Sequence, residues 1–82
     1  MVIMWFNSFV TSAFKAESID EKFHGEEVEL SFTYGEPMRC EILGKDESPD
    51  GEPLVLVRTL PPSEDSVGHV FACDIVQVDG KG

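Results

Sequence analysis

The sequence predicts a mainly β fold: a small barrel of four to five antiparallel strands with an N-terminal helix packed against it. Three observations point there. From Glu26 onward, apolar residues recur at every second position in short runs, the period of strands that bury one face. Clusters of Gly, Pro, Asp and Ser separate those runs, and these residues turn a chain sharply. The 82 residues allow one domain, which buries about 60–65% of the surface its unfolded chain exposes. A sheet this small left open would expose long edges and bury little, so a meander that closes on itself is expected.

Residues 1–25 read as a helical segment and linker, 26–79 as the barrel and 80–82 as a tail. Trp5, Phe6, Phe9, Val10, Ala13 and Phe14 fall at spacings of one, three and four, which predicts a helix over residues 4–16. Ser18, Asp20 and Gly25 follow as stop and turn signals. A competing reading makes Val2 to Phe6 a short strand, because β-branched and aromatic residues also suit a sheet. Val28, Leu30, Phe32 and Tyr34 then alternate with Glu29, Ser31 and Thr33 as a first long strand. Met38, Cys40 and Ile42 alternate with Arg39 and Glu41 as a second. A polar loop spans Gly44 to Pro53, its Ser-Pro-Asp-Gly core being a strong turn signal. Leu54 to Val57 is nearly all apolar and reads as the most central strand. Pro61-Pro62 ends it, since proline donates nothing to a ladder. After the loop Ser63 to Gly68 come a strand at Val70 to Cys73, a break at Asp74, and a closing strand from Ile75 to Val78.

That last stretch, Gly68-His69-Val70-Phe71-Ala72-Cys73-Asp74-Ile75-Val76, has a glycine, a strand, a polar turn and a closing strand. With the hairpin and apolar strand before it, the region 26–79 resembles an SH3-like small barrel. The resemblance is one of fold, and the aromatic ligand-binding cluster of true SH3 domains is absent. A shared fold of this kind leaves function open.

Sixteen Asp and Glu against six Lys and Arg give a formal net charge of −10. That disfavours direct contact with a phosphate backbone or an anionic membrane surface, and it suits a basic protein partner or a salt-rich environment. No run approaches the ~18 apolar residues of a membrane span. No basic residue precedes Lys15, so the charged start of a secretory signal is missing. Two cysteines, Cys40 and Cys73, cannot build a disulfide framework. Each lies among apolar residues and reads as a buried thiol, with one cross-strand bridge as the alternative. A reducing, cytoplasmic setting follows.

Chemistry finds little purchase. Asp46-Glu47-Ser48-Pro49-Asp50-Gly51 matches the first half of a calcium loop, yet Val57 stands where the closing glutamate belongs. An acidic hairpin turn is the expectation. His24, Cys40, His69 and Cys73 are the zinc candidates, but four residues of strand separate His69 from Cys73 by about 13 Å. No nucleophile elbow, base–nucleophile pair or phosphate cradle is present in the sequence. No metal, cofactor or enzymatic activity is expected.

The remaining signal is the clustering of acids. Glu26, Glu27 and Glu29 form one candidate partner-binding group, Asp46, Glu47, Asp50 and Glu52 a second, and Glu64 and Asp65 a third. The expected function is a non-enzymatic interaction module, a small subunit, adaptor or regulator of a basic or larger protein. Trp5, Phe6, Phe9 or Tyr34 could anchor its contact if exposed, their more ordinary role being to fill the core. The alternative is a phage-type acidic inhibitor that mimics nucleic acid. Glu27 and Glu29 match the ~6–7 Å phosphate spacing through their i, i+2 placement on a strand.

Overall fold

The computed structural model describes residues 2–3, 12–61 and 64–80. It contains β1 (Val2–Ile3), α1 (Ser12–Phe23), β2 (Glu27–Phe32), β3 (Met38–Glu47), β4 (Pro53–Thr59), β5 (Val67–Phe71) and β6 (Ile75–Gly80). A 3-10 turn, Ala72–Asp74, links the last two strands. Among the described residues all strand pairings are antiparallel, in the order β1-β6-β2-β3-β4-β5, and a single parallel bridge joins His24 to Ile42. The molecule is mainly β, one sheet with one helix against it.

The helix lies further along the chain than the aromatic spacing predicts. Of the predicted segment, 12–16 falls in α1, while Trp5, Phe6, Phe9 and Val10 lie outside the described residues. Ala13 and Phe14 face outward, and the buried stripe is Ala16, Ile19 and Phe23. Spacings of three and four put these on one face. Ser18 and Asp20, read as stop signals, sit inside the helix. Gly25 ends it at φ 78°, the left-handed conformation that glycine adopts without steric cost. Its N–H donates to the Ile42 carbonyl at 2.7 Å, and Glu26 N–H donates to the Phe23 carbonyl at 2.8 Å. These two bonds swing the chain from helix into sheet. Val2–Ile3 pairs with β6, in keeping with the strand reading of the chain start.

Period-two burial holds in β2, where Val28 and Leu30 are buried and Glu27 and Glu29 are exposed. Tyr34 lies beyond the strand and is 70% exposed. β3 is longer than its apolar residues suggest and runs on through Glu47, so the real turn is 48–52. A register shift between Ile42 and Gly44 explains this. The extra residue reverses which side chains face inward. Before it Cys40 and Ile42 fill the core. Beyond it Lys45 stands opposite buried Val55 and pairs with Glu17 of α1 at 3.7 Å. The polar end of β3 thus stays in the ladder without burying charge.

β4 is second from the sheet's edge and is not the central strand. Its apolar run has another cause: outward Leu54 and Leu56 stand opposite Phe71 and His69 of β5. Leu54 is itself buried and Leu56 half-buried, while Val55 and Val57 fill the core. β5 begins at Val67, and Ala72 and Cys73 belong to the 3-10 turn. Cys73 is consequently exposed, contrary to the buried thiol expected, and both cysteines are free. One core gathers Ala16, Ile19 and Phe23 of α1 with Val28, Leu30, Cys40, Ile42, Val55, Val57, Ala72, Ile75 and Val78. Lys15 Nζ donates to the Ile75 carbonyl at 2.8 Å, tying helix to β6. Gly80, placed in a tail by the sequence, completes β6 opposite Val28. A Cβ there would come within 3.2 Å of the Phe23 ring.

Candidate functional site

Because β2 alternates, the residues between its buried positions project from the face away from the core. Glu27 stands opposite Glu41, and Glu29 lies between Arg39 of β3 and Asp79 of β6. Glu27, Glu29, Arg39 and Asp79 line a shallow depression of about 250 Å³. Arg39 Nη2 approaches Glu27 Oε1 at 3.6 Å. Arg58, opposite Glu41 on β4, donates to Glu41 Oε1 through Nε at 3.0 Å and Nη2 at 2.7 Å, and to Asp65 Oδ2 through Nη1 at 3.0 Å. Hydrogen bonds to Glu41, then to Asp65, hold the guanidinium above its ordinary pKa. Glu26 contributes mainly backbone: its carbonyl accepts the Ile42 N–H at 3.1 Å.

Arg58 therefore ties Asp65 to Glu41, which stands opposite Glu27 of β2. Beside Asp65, the Glu64 carbonyl accepts from Thr59 Oγ1, which pins the loop to the end of β4. The third group stays apart. Asp46 is five residues along β3 from Glu41, roughly 15 Å at strand rise. Asp50 and Glu52 lie beyond it in the turn, where Ser48 Oγ accepts from Glu52 N–H at 3.0 Å and Gly51 has φ 86°.

Asp46 itself is occupied. Oδ1 accepts the Glu47 N–H at 2.8 Å and Oδ2 meets His69 Nε2 at 3.0 Å. The backbone bond first, and the His69 bond second, hold its carboxyl below the usual range. Both oxygens are thus engaged within the fold, whereas a calcium loop uses its first carboxylate as a ligand. Among the described residues no group of three or more His, Cys, Asp or Glu side chains could hold a metal ion. Asp46 and Glu47 instead line a hollow of about 320 Å³ with Glu17, Lys45 and Pro53.

The site contains groups that clustering along the sequence does not reveal. Glu41 and Asp79 join the outer acids only through cross-strand register, as do Arg39 and Arg58. A second feature is an apolar cleft of about 350 Å³ lined by Phe32, Tyr34, Met38, His69, Phe71 and Asp74. Half-buried Phe32 and Met38 lean on the core and form its floor. Tyr34 Oη donates to Asp74 Oδ2 at 3.1 Å, and that bond, followed by the Asp74 charge, raises the phenol pKa. Phe71 at the rim is 47% exposed.

No protein-family model, curated protein or solved structure matches the chain. Among the described residues no helix is long and apolar enough to cross a membrane.

Proposed function

We propose that the chain is a non-enzymatic protein–protein interaction module, a small subunit, adaptor or regulator whose partner presents a basic surface. Its fold we read as an SH3-like small barrel, on the strand order β6-β2-β3-β4-β5 and the 3-10 turn before the last strand. The observation that carries the function is the outer face of β2 and its neighbours. Among the described residues Glu27, Glu29, Glu41 and Asp79 gather there with Arg39 and Arg58, and Arg58 reaches out to Asp65. On a chain of net charge −10 such a face draws a cationic partner from a distance and orients its approach. The turn acids Asp46, Glu47, Asp50 and Glu52 extend the field as a separate patch.

Mimicry of a phosphate backbone is the second reading. Four carboxylates at cross-strand and i, i+2 spacing, Glu27, Glu29, Glu41 and Asp79, favour it. Arg39 and Arg58 weigh against it, because they neutralise part of the row that a phosphate strand would leave fully charged. The test is affinity capture from lysate by the intact chain and by a Glu27→Gln, Glu29→Gln, Glu41→Gln, Asp79→Asn variant, washed at low and high salt. A partner bound by the parent and lost by the variant supports the outer face. Displacement of that partner by added DNA shifts the reading to mimicry. A partner retained equally by the variant rules out the outer face as its binding surface and sinks mimicry.

A further inference from the structure

The edge strand β5 is unusual in what it lacks. Among the described residues it pairs with β4 alone and ends the sheet order. Proteins blunt such edges with lysine, proline or a bulge. β5 reads Val67-Gly68-His69-Val70-Phe71, and its register against β4 is unbroken. Thr59 N–H donates to the Ser66 carbonyl at 2.8 Å, which sets the alternation of the ladder. Gly68 and Val70 turn their backbone groups toward β4, and Val67, His69 and Phe71 present theirs to the open side. Val67 is 61% exposed and Phe71 47%. The apolar cleft described above opens along this same strand, with His69, Val70 and Phe71 among its walls.

We infer that β5 is a docking edge which receives an extended, cationic segment of a partner protein as an added strand. An apolar or aromatic residue of that segment enters the Tyr34–Phe71 cleft. Backbone pairing supplies the attachment and the cleft supplies the selectivity. Charge selects this occupant over a second copy of the chain. Each copy has a net charge of −10, with Glu64 and Asp65 before β5 and Asp74 in the turn after it, so pairing two β5 strands brings like charge together. Like charges so placed repel. A segment carrying Lys or Arg near its ends meets the same carboxylates favourably. The inference rests on the reading of the chain as an interaction module and adds the edge and the chemistry by which the partner is held.

The test is selection of a random nonapeptide library by the intact chain, followed by amide hydrogen exchange with the enriched peptides. Enriched sequences should combine β-branched or aromatic residues with Lys or Arg, and should slow exchange at Val67, His69 and Phe71. Val67→Pro removes an N–H that faces the open side and leaves the β4 ladder intact, so it should weaken binding about tenfold or more. Preserved amide protection at Val55 and Val57 reports that the variant is folded. Phe71→Lys is the second variant, and it should repel the cationic peptides. Peptides that bind both variants as tightly as the parent, or that protect Glu27 and Glu29 instead, overturn the proposal. So does an absence of enrichment, or self-association of the chain through the same three amides. If the edge fails while a salt-sensitive protein partner is still captured, the docking edge is lost and the interaction-module reading stands.

Discussion

The two sides of β2 and β3 are built from interleaved residues of the same strands and carry opposite burdens. Inward, Val28, Leu30, Cys40 and Ile42 are at most 4% exposed and hold the helix against the sheet. Outward, Glu27, Glu29, Arg39 and Glu41 form a charged lattice with Arg58 and Asp79. Shifting either strand by one residue would exchange the two sets completely. The strength of the inner pattern therefore guards the geometry of the outer one. Stability and the proposed recognition are separated by a single Cα–Cβ direction, which makes them separable by mutation.

Breaking the inner side should have the largest effect. Leu30→Ala, at a position with no exposure, is expected to cost about 2–5 kcal/mol through lost burial and the cavity left behind. Urea denaturation measures it, and a cost below about 1 kcal/mol would mean that the core relaxes around the gap. Cys40 gives a pH-dependent version of the same test. Burial pushes its thiol from 9.0 up to about 12, so the folded state favours the protonated form. Its stabilisation is complete below about pH 9 and is lost as pH rises from there toward 12. Full ionisation costs ~4 kcal/mol at most. Cys40→Val should flatten this alkaline decline in thermal melts, and an unchanged decline would assign it to other groups.

The turn between β3 and β4 should respond less. Gly51→Ala forces a side chain into the positive-φ conformation and should cost about 1–2 kcal/mol, whereas Gly68→Ala, with open space around it and ordinary φ, should cost less. Equal losses in calorimetry would show that φ is not the deciding factor. Smallest on stability is the outer side. Replacing Glu27, Glu29, Glu41 and Asp79 by their amides should lower the melting temperature only slightly, mostly through the half-buried Glu41–Arg58 pair, because exposed ion pairs contribute little. The same replacement should abolish the salt dependence of partner capture. At Asp46 the expected sign is specific. Its carboxyl is held below the usual range, so its small contribution is present above the unfolded pKa and fades as pH falls through the folded one. Asp46→Asn should remove only that acid-side slope.

Much of the sheet was legible before any coordinates. Alternation at Val28 and Leu30 against Glu27 and Glu29, and at Cys40 and Ile42 against Arg39 and Glu41, states which side chains face water. A two-residue period admits no other division. The helix was less legible because two apolar stripes compete in the first 23 residues. The aromatic stripe through Phe9 and Phe14 is the louder. The one that packs, Ala16-Ile19-Phe23, contains a single aromatic and is interrupted by charge. Gly25, as the stop, was the better guide.

What residue order determined by itself is the chain's net charge, the alternation of β2 and the first part of β3, and the turns at Gly25 and Gly51. Each depends on composition or on the local geometry of a few neighbours. Tertiary structure decided the rest. The register shift after Ile42 sends Lys45 to the helix and Asp46 to His69. The 3-10 turn brings Cys73 to the surface and Asp74 to Tyr34. Cross-strand register brings Glu41, Arg39 and Asp79 beside the β2 acids and Arg58 beside Glu41. These are long-range outcomes: the residues lie up to dozens of positions apart, and only the pairing of whole strands, driven by burial of their other faces, sets the distance between them.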